Sequence, residues 1–91
     1  MGQCQLVYRL KEPAAALLEQ IRDLAREYQG EVQGNEHSGK LSLPLLIGTI
    51  DGEYTITGDQ LELIITKKPF LLGCQTIDAV IRQYLTTLES T

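Results

Sequence analysis

The sequence predicts a two-layer α+β domain. An antiparallel sheet of about four to five strands carries two helices on one face, in the order β-α-β-β-β-α. Three observations predict it. Two segments repeat apolar residues with helical period. The stretch between them alternates apolar and polar residues and is punctuated by turn residues. Each strand has one apolar and one largely polar face, as in an antiparallel sheet covered on one side and wet on the other.

The elements follow in order. Cys4, Leu6, Tyr8 and Leu10 share one face of a strand over residues 3–10; Gln3, Gln5 and Arg9 share the other, with Val7 the one apolar residue among them. Lys11-Glu12-Pro13 stops that strand, and Pro13, which lacks an N–H, suits the first turn of a helix. Over residues 13–29, Leu17, Leu18, Ile21, Leu24, Ala25 and Tyr28 form a single apolar stripe. Glu19, Arg22, Asp23, Arg26 and Glu27 make the solvated face, and Gly30 is expected at C′. Residues 31–36 read as a weak strand and Ser38-Gly39 as a turn. Leu41, Leu43, Leu45 and Ile47 alternate, with Pro44 marking an edge or a bulge. Ile50, Tyr54 and Ile56 take the buried face of the next strand, around Gly52. Gly58-Asp59 forms a two-residue hairpin turn, after which Leu61, Leu63 and Ile65 resume the buried face. Residues 67–73 form a loop. A second one-faced helix over residues 75–88 carries Ile77, Val80, Ile81, Tyr84, Leu85 and Leu88, with Asp78 placed in its first turn to suit the helix dipole. The expected core draws on Leu6, Leu18, Ile21, Leu24, Ile50, Ile56, Leu63, Ile77, Ile81 and Leu85.

The chain of 91 residues is expected to form one domain, 1–91. Its net charge of -4 argues against broad nucleic-acid binding, which needs a basic face to displace counterions. No apolar run approaches the ~20 residues of a membrane span. A domain this small has a thin core, so a deep pocket must take volume from that core or be completed by a partner subunit. Cys4 and Cys74 are expected as free thiols. The N-terminal residues show no basic-then-apolar signal pattern, and Leu6 stands where myristoylation wants Ser or Thr. The expected location is cytoplasmic.

No motif carries recognisable chemistry. Residues 34–41 match G-x-x-x-x-G-K-[ST] except at Leu41, which cannot supply the Mg²⁺-holding hydroxyl, and the segment that follows alternates as a strand. It is read as a hairpin turn. His37 has no nucleophile or carboxylate at a telling spacing, and Cys4, His37 and Cys74 lack any metal-ligand pattern. Asp51 and Glu53 share one strand face with Thr49, Thr55 and Thr57 and read as solvated acidic surface. No catalytic, cofactor-binding or metal-binding residue is expected, and no cofactor. The most unusual feature is Lys67-Lys68-Pro69-Phe70-Leu71-Leu72-Gly73, which holds the only Phe. The three apolar residues are expected to lid the core beneath the last helix; alternatively they flank a groove, with Lys67 and Lys68 steering an anionic ligand or partner.

Residues 48–85 resemble the small bacterial polyhydroxyalkanoic acid system family. The resemblance rests on Gly48-Thr49-Ile50, a hairpin turn, an alternating strand, Lys68-Pro69-Phe70-Leu71-Leu72, and a helix carrying Ile77, Ile81, Arg82, Tyr84 and Leu85. It implies half of a helix-grip domain, a curved antiparallel sheet embracing a helix, and a setting at storage-polymer granules, with no assigned activity.

The expected function is a non-enzymatic accessory or interaction module. It would act through the sheet edge, through Lys67, Lys68, Pro69 and Phe70, or as a homo-oligomer, with an unknown protein or itself as partner. The alternative is a small carrier of an apolar ligand held between sheet and helices, with Gly48, Gly52 and Ala79 leaving room for it. A third reading, an enzyme using Asp51 and Glu53, lacks any sign of burial.

Overall fold

The computed structural model describes residues 4–88. Its elements are β1 (Cys4–Arg9), α1 (Ala14–Glu27), β2 (Glu31–Gly34), β3 (Ser38–Leu45), β4 (Gly48–Thr57), β5 (Gln60–Lys67) and α2 (Cys74–Tyr84). The five strands form one antiparallel sheet in the order β1-β5-β4-β3-β2. The α+β class and the two helices are as the sequence predicts.

Topology decides how the helices lie. β1 and β2 are the two edge strands, and α1 joins them, so α1 must cross the inner face of the sheet from one edge to the other. α2 follows β5, next to β1, and returns over that side. The inner face carries Cys4, Tyr8, Ile50, Tyr54, Ile56, Leu61, Leu63 and Ile65, all buried against Leu17, Leu18 and Ile21 of α1 and Ile77 and Ile81 of α2. Every expected core residue is buried except Leu6, which is half-buried against the cluster. The outer face is wet, and Val7 is half-exposed on it.

Three tethers hold α2 in place. The first corrects the expectation of free thiols: Cys4 and Cys74 form a disulfide, bridging 70 residues between the start of β1 and the start of α2. Alternation turns Cys4 inward, as the sequence predicts; that the loop after β5 carries Cys74 back over it is not visible from sequence spacing. The second tether centres on Asp78. It lies beyond the first turn of α2, so it does not serve the helix dipole as expected. Its carboxylate instead accepts a hydrogen bond from the Tyr8 hydroxyl (2.6 Å) and one from Arg82 Nε (3.1 Å). The Arg82 guanidinium lies 5.0 Å from the Tyr8 ring centroid.

The third tether shortens the helix. α2 ends at Tyr84, not Leu88, because the chain beyond it turns in to pair with the segment between β1 and α1. Leu88 bridges Leu10, and Lys11 N–H donates to Thr87 C=O (3.0 Å). Gln20 Oε1 accepts from both the N–H (3.1 Å) and the hydroxyl (3.0 Å) of buried Thr87.

Several turns also differ from expectation. α1 ends with Gln29, not Gly30, in the left-handed region (φ 60°). Gly30 N–H then bonds Ala25 C=O and Gln29 N–H bonds Arg26 C=O, a Schellman closure. Ser38 and Gly39 begin β3, and the turn lies at 35–37, where Asn35 Oδ1 accepts from the N–H groups of His37 and Ser38. The nucleotide-loop look-alike is therefore a hairpin turn, as read. β2 pairs only with residues 39–42 of β3, so Pro44 sits where β3 has lost its outer neighbour and is locally an edge.

Candidate functional site

The two helices leave a cleft over the middle of the sheet. Its volume is about 150 Å³. The floor is Leu41 and Leu43 of β3, Ile50 and Tyr54 of β4, and Leu63 and Ile65 of β5. The walls are Ile21, Leu24 and Tyr28 of α1 and Thr76, Ile77, Val80 and Ile81 of α2. No lining side chain is charged. Tyr54 is buried and its hydroxyl is spoken for, donating to Asn35 C=O at 2.7 Å. Burial raises its pKa. The cleft therefore offers an apolar surface with almost no hydrogen-bonding capacity.

The cleft opens to solvent along part of its rim. Gln20 of α1 holds Thr86 and Thr87 beyond α2, and the Tyr84 hydroxyl donates to Glu27 Oε2 at 2.7 Å, which ties the two helices together outside the cleft lining. That hydrogen bond to a carboxylate is the main reason the Tyr84 pKa is raised. The exposed rim is formed by Tyr28, Thr76 and Val80, with half-buried Leu45 and Leu72 beside it.

The small residues proposed to make room do not make the cleft. Ala79 is exposed, Gly48 abuts Pro69, and a Cβ at Gly52 would meet Ile64 C=O at 3.2 Å. Gly52 permits close packing. The cleft lies between α1, which joins the two edge strands, and α2, which is tied to β1.

Beside the open rim stand two loop tips. Leu46 and Ile47 occupy the tight turn between β3 and β4, whose flanking residues Leu45 and Gly48 are paired. Phe70 and Leu71 occupy a turn closed by Leu72 N–H bonding Pro69 C=O (3.1 Å). Buried Pro69 links the two: a Cβ at Gly48 would lie 3.1 Å from Pro69 Cγ. Leu46 is fully exposed, Phe70 95%, Leu71 80% and Ile47 56%. This overturns the lid expectation. Only Leu72 of the three apolar loop residues packs on the core, and Phe70 and Leu71 face solvent.

The residues singled out in this loop thus separate. Lys67 ends β5 and is exposed, Lys68 is half-buried, Pro69 is the buried spacer and Phe70 is a tip. Sequence reasoning missed Leu46 and Ile47, which alternation assigned to a strand. The signal was present: Leu45-Leu46-Ile47 is an unbroken apolar run directly before Gly48, so it breaks the period of two.

No protein-family model, curated protein or solved structure matches this chain.

Asp51 and Glu53 lie on the outer face, away from the cleft. Glu53 is exposed and stands 4.0 Å from Lys40 Nζ. A second, polar depression there is lined by Glu31, Gln33, Lys40, Ser42, Asp51, Glu53 and Thr66. Among the described residues no group of three His, Cys, Asp or Glu side chains is arranged to hold a metal ion. Among the described residues no helix is long and apolar enough to cross a membrane.

Proposed function

We propose that this domain holds a small apolar ligand, or one end of a longer apolar chain, in the cleft between its sheet and its helices. The observation that carries this reading is the cleft itself: uncharged, apolar throughout, and open along part of its rim. Filling an uncharged apolar cleft restores dispersion contacts to its walls and takes apolar surface out of water. The Cys4–Cys74 disulfide favours an oxidising compartment over the cytoplasm expected from the sequence. The storage-granule setting implied by the family resemblance is an intracellular one and fits the disulfide less well.

The test is titration with medium-chain fatty acids and alkanols, read by displacement of a fluorescent apolar probe. Saturable binding at one site per chain is expected. Val80→Trp places an indole over the rim from a position already exposed in α2, so it should fold normally and weaken binding at least ~10-fold. Absence of saturable binding, or unchanged affinity in Val80→Trp, would overturn the reading.

The interaction-module reading is favoured by a separate observation, the exposed Phe70 turn beside Lys67 and Lys68. The class of partner is argued next.

A further inference from the structure

We infer that the paired tips, Leu46-Ile47 and Phe70-Leu71, dock this domain onto an anionic lipid surface, with Lys67 and Lys68 meeting the headgroups. Local structure does not account for these residues. Turn tips favour Gly, Asn, Asp, Pro and Ser, each for a backbone or hydrogen-bonding reason that Leu, Ile and Phe do not share. Tertiary packing does not account for them either, because all four side chains point into solvent. They are four large apolar groups on two adjacent turns held together through Gly48 and Pro69. Such paired projections suit insertion between lipid headgroups, where each side chain finds hydrocarbon while the body of the domain stays wet.

Charge selects the kind of surface. Residues 45–50 and 67–73 include two lysines and no acidic residue. Among the described residues neither lysine is in an ion pair, although Asp51 faces Lys67 in the β4–β5 register. The chain as a whole carries -4, so two adjacent lysines beside the tips stand out against an acidic total. The molecule extends 33 × 25 × 20 Å, against a screening length of ~8 Å at physiological salt. Repulsion between a bilayer and distant acidic groups is therefore screened, while the lysines beside the tips act at contact.

The inference does not depend on what fills the cleft, and the two fail separately. The experiment is co-sedimentation of the full chain with vesicles of phosphatidylcholine containing phosphatidylglycerol, and with vesicles of phosphatidylcholine alone. Preferential binding to the anionic vesicles, weakened by added salt, is expected. Phe70→Ser with Leu46→Ser should reduce binding at least ~10-fold, and Lys67→Gln with Lys68→Gln by roughly 10- to 30-fold on the anionic vesicles only. Leu46, Phe70 and Lys67 are exposed and Lys68 is half-buried, and unchanged circular dichroism confirms folding of both double variants. Val80→Trp should bind vesicles as the parent does. No co-sedimentation, equal binding to the two vesicle types, or equal binding by the tip variants would overturn the inference. So would concentration-dependent self-association in lipid-free buffer that Phe70→Ser abolishes, since a second copy would then cover the tips.

Discussion

Tyr8 shows how a single residue can be read two ways. Its alternation in β1 turns it inward, while its hydroxyl needs a partner to be buried at all. Asp78 supplies one and Arg82 covers the ring. Burial first, and then the hydrogen bond to the Asp78 carboxylate, raise the phenol pKa well above the ordinary 10.0, with Arg82 pulling the other way. The folded chain keeps the Tyr8 proton where the unfolded chain releases it. The unfolded state then binds fewer protons, so stability falls as pH rises past about 10. Urea unfolding followed between pH ~8 and ~11 should show this loss, and Tyr8→Phe should flatten it. The slope should not vanish, because the pKa values of Tyr54 and Tyr84 are raised too. A Tyr8→Phe slope equal to the parent's would mean that burial and the Asp78 contact together do not hold the Tyr8 proton in solution.

At the scale of elements, α2 is the piece most dependent on others. It has 11 residues and buries only Ile77 and Ile81 within its own span. A helix this short is marginal by itself. The disulfide fixes its start, the Tyr8–Asp78–Arg82 group fixes its second turn, and Gln20 fixes the chain after its end. The disulfide closes a long loop, so reducing it restores much conformational freedom to the unfolded chain. Denaturation with and without dithiothreitol should differ by about 2–4 kcal/mol, the reduced form being weaker. Cys4→Ser with Cys74→Ser should reproduce the reduced value. An unchanged midpoint would show that the other tethers suffice.

The whole molecule joins an apolar cleft to an apolar tip. α1 crosses the sheet from edge to edge, α2 is pinned to the β1 side, and the gap between them opens towards Leu45 and Leu72. Those two residues adjoin the exposed turns in the chain, so a ligand held in the cleft as proposed would emerge beside the proposed lipid-facing surface. Filling the cleft stabilises only the folded state. A ligand at about 100 times its dissociation constant should therefore add ~2.7 kcal/mol to stability, seen as a rise in melting temperature. Val80→Trp should show no such rise. An equal rise in the variant would place the ligand elsewhere on the molecule.

The sequence by itself determined the elements, their faces and nearly all of the core. The stripe from Leu17 to Tyr28 marked α1, and alternation from Ile50 to Ile65 marked β4 and β5 with their buried sides. These signals are legible because helix and strand periods are local: each residue's side follows from its neighbours a few positions away. The tertiary structure alone decided the rest. Cys4 and Cys74 meet because the loop after β5 returns to the first strand. α2 stops early because Gln20 and Leu10 capture the chain beyond it. Gly39 is required because Tyr54 from another strand leaves a Cβ only 2.6 Å from its hydroxyl oxygen. The cleft exists because one helix must cross the sheet while the other is held at its edge. Leu46, Ile47, Phe70 and Leu71 look like core residues in the sequence, but their turns lie where no other described residue folds over them. Burial depends on the whole chain's path, and no local pattern encodes that path.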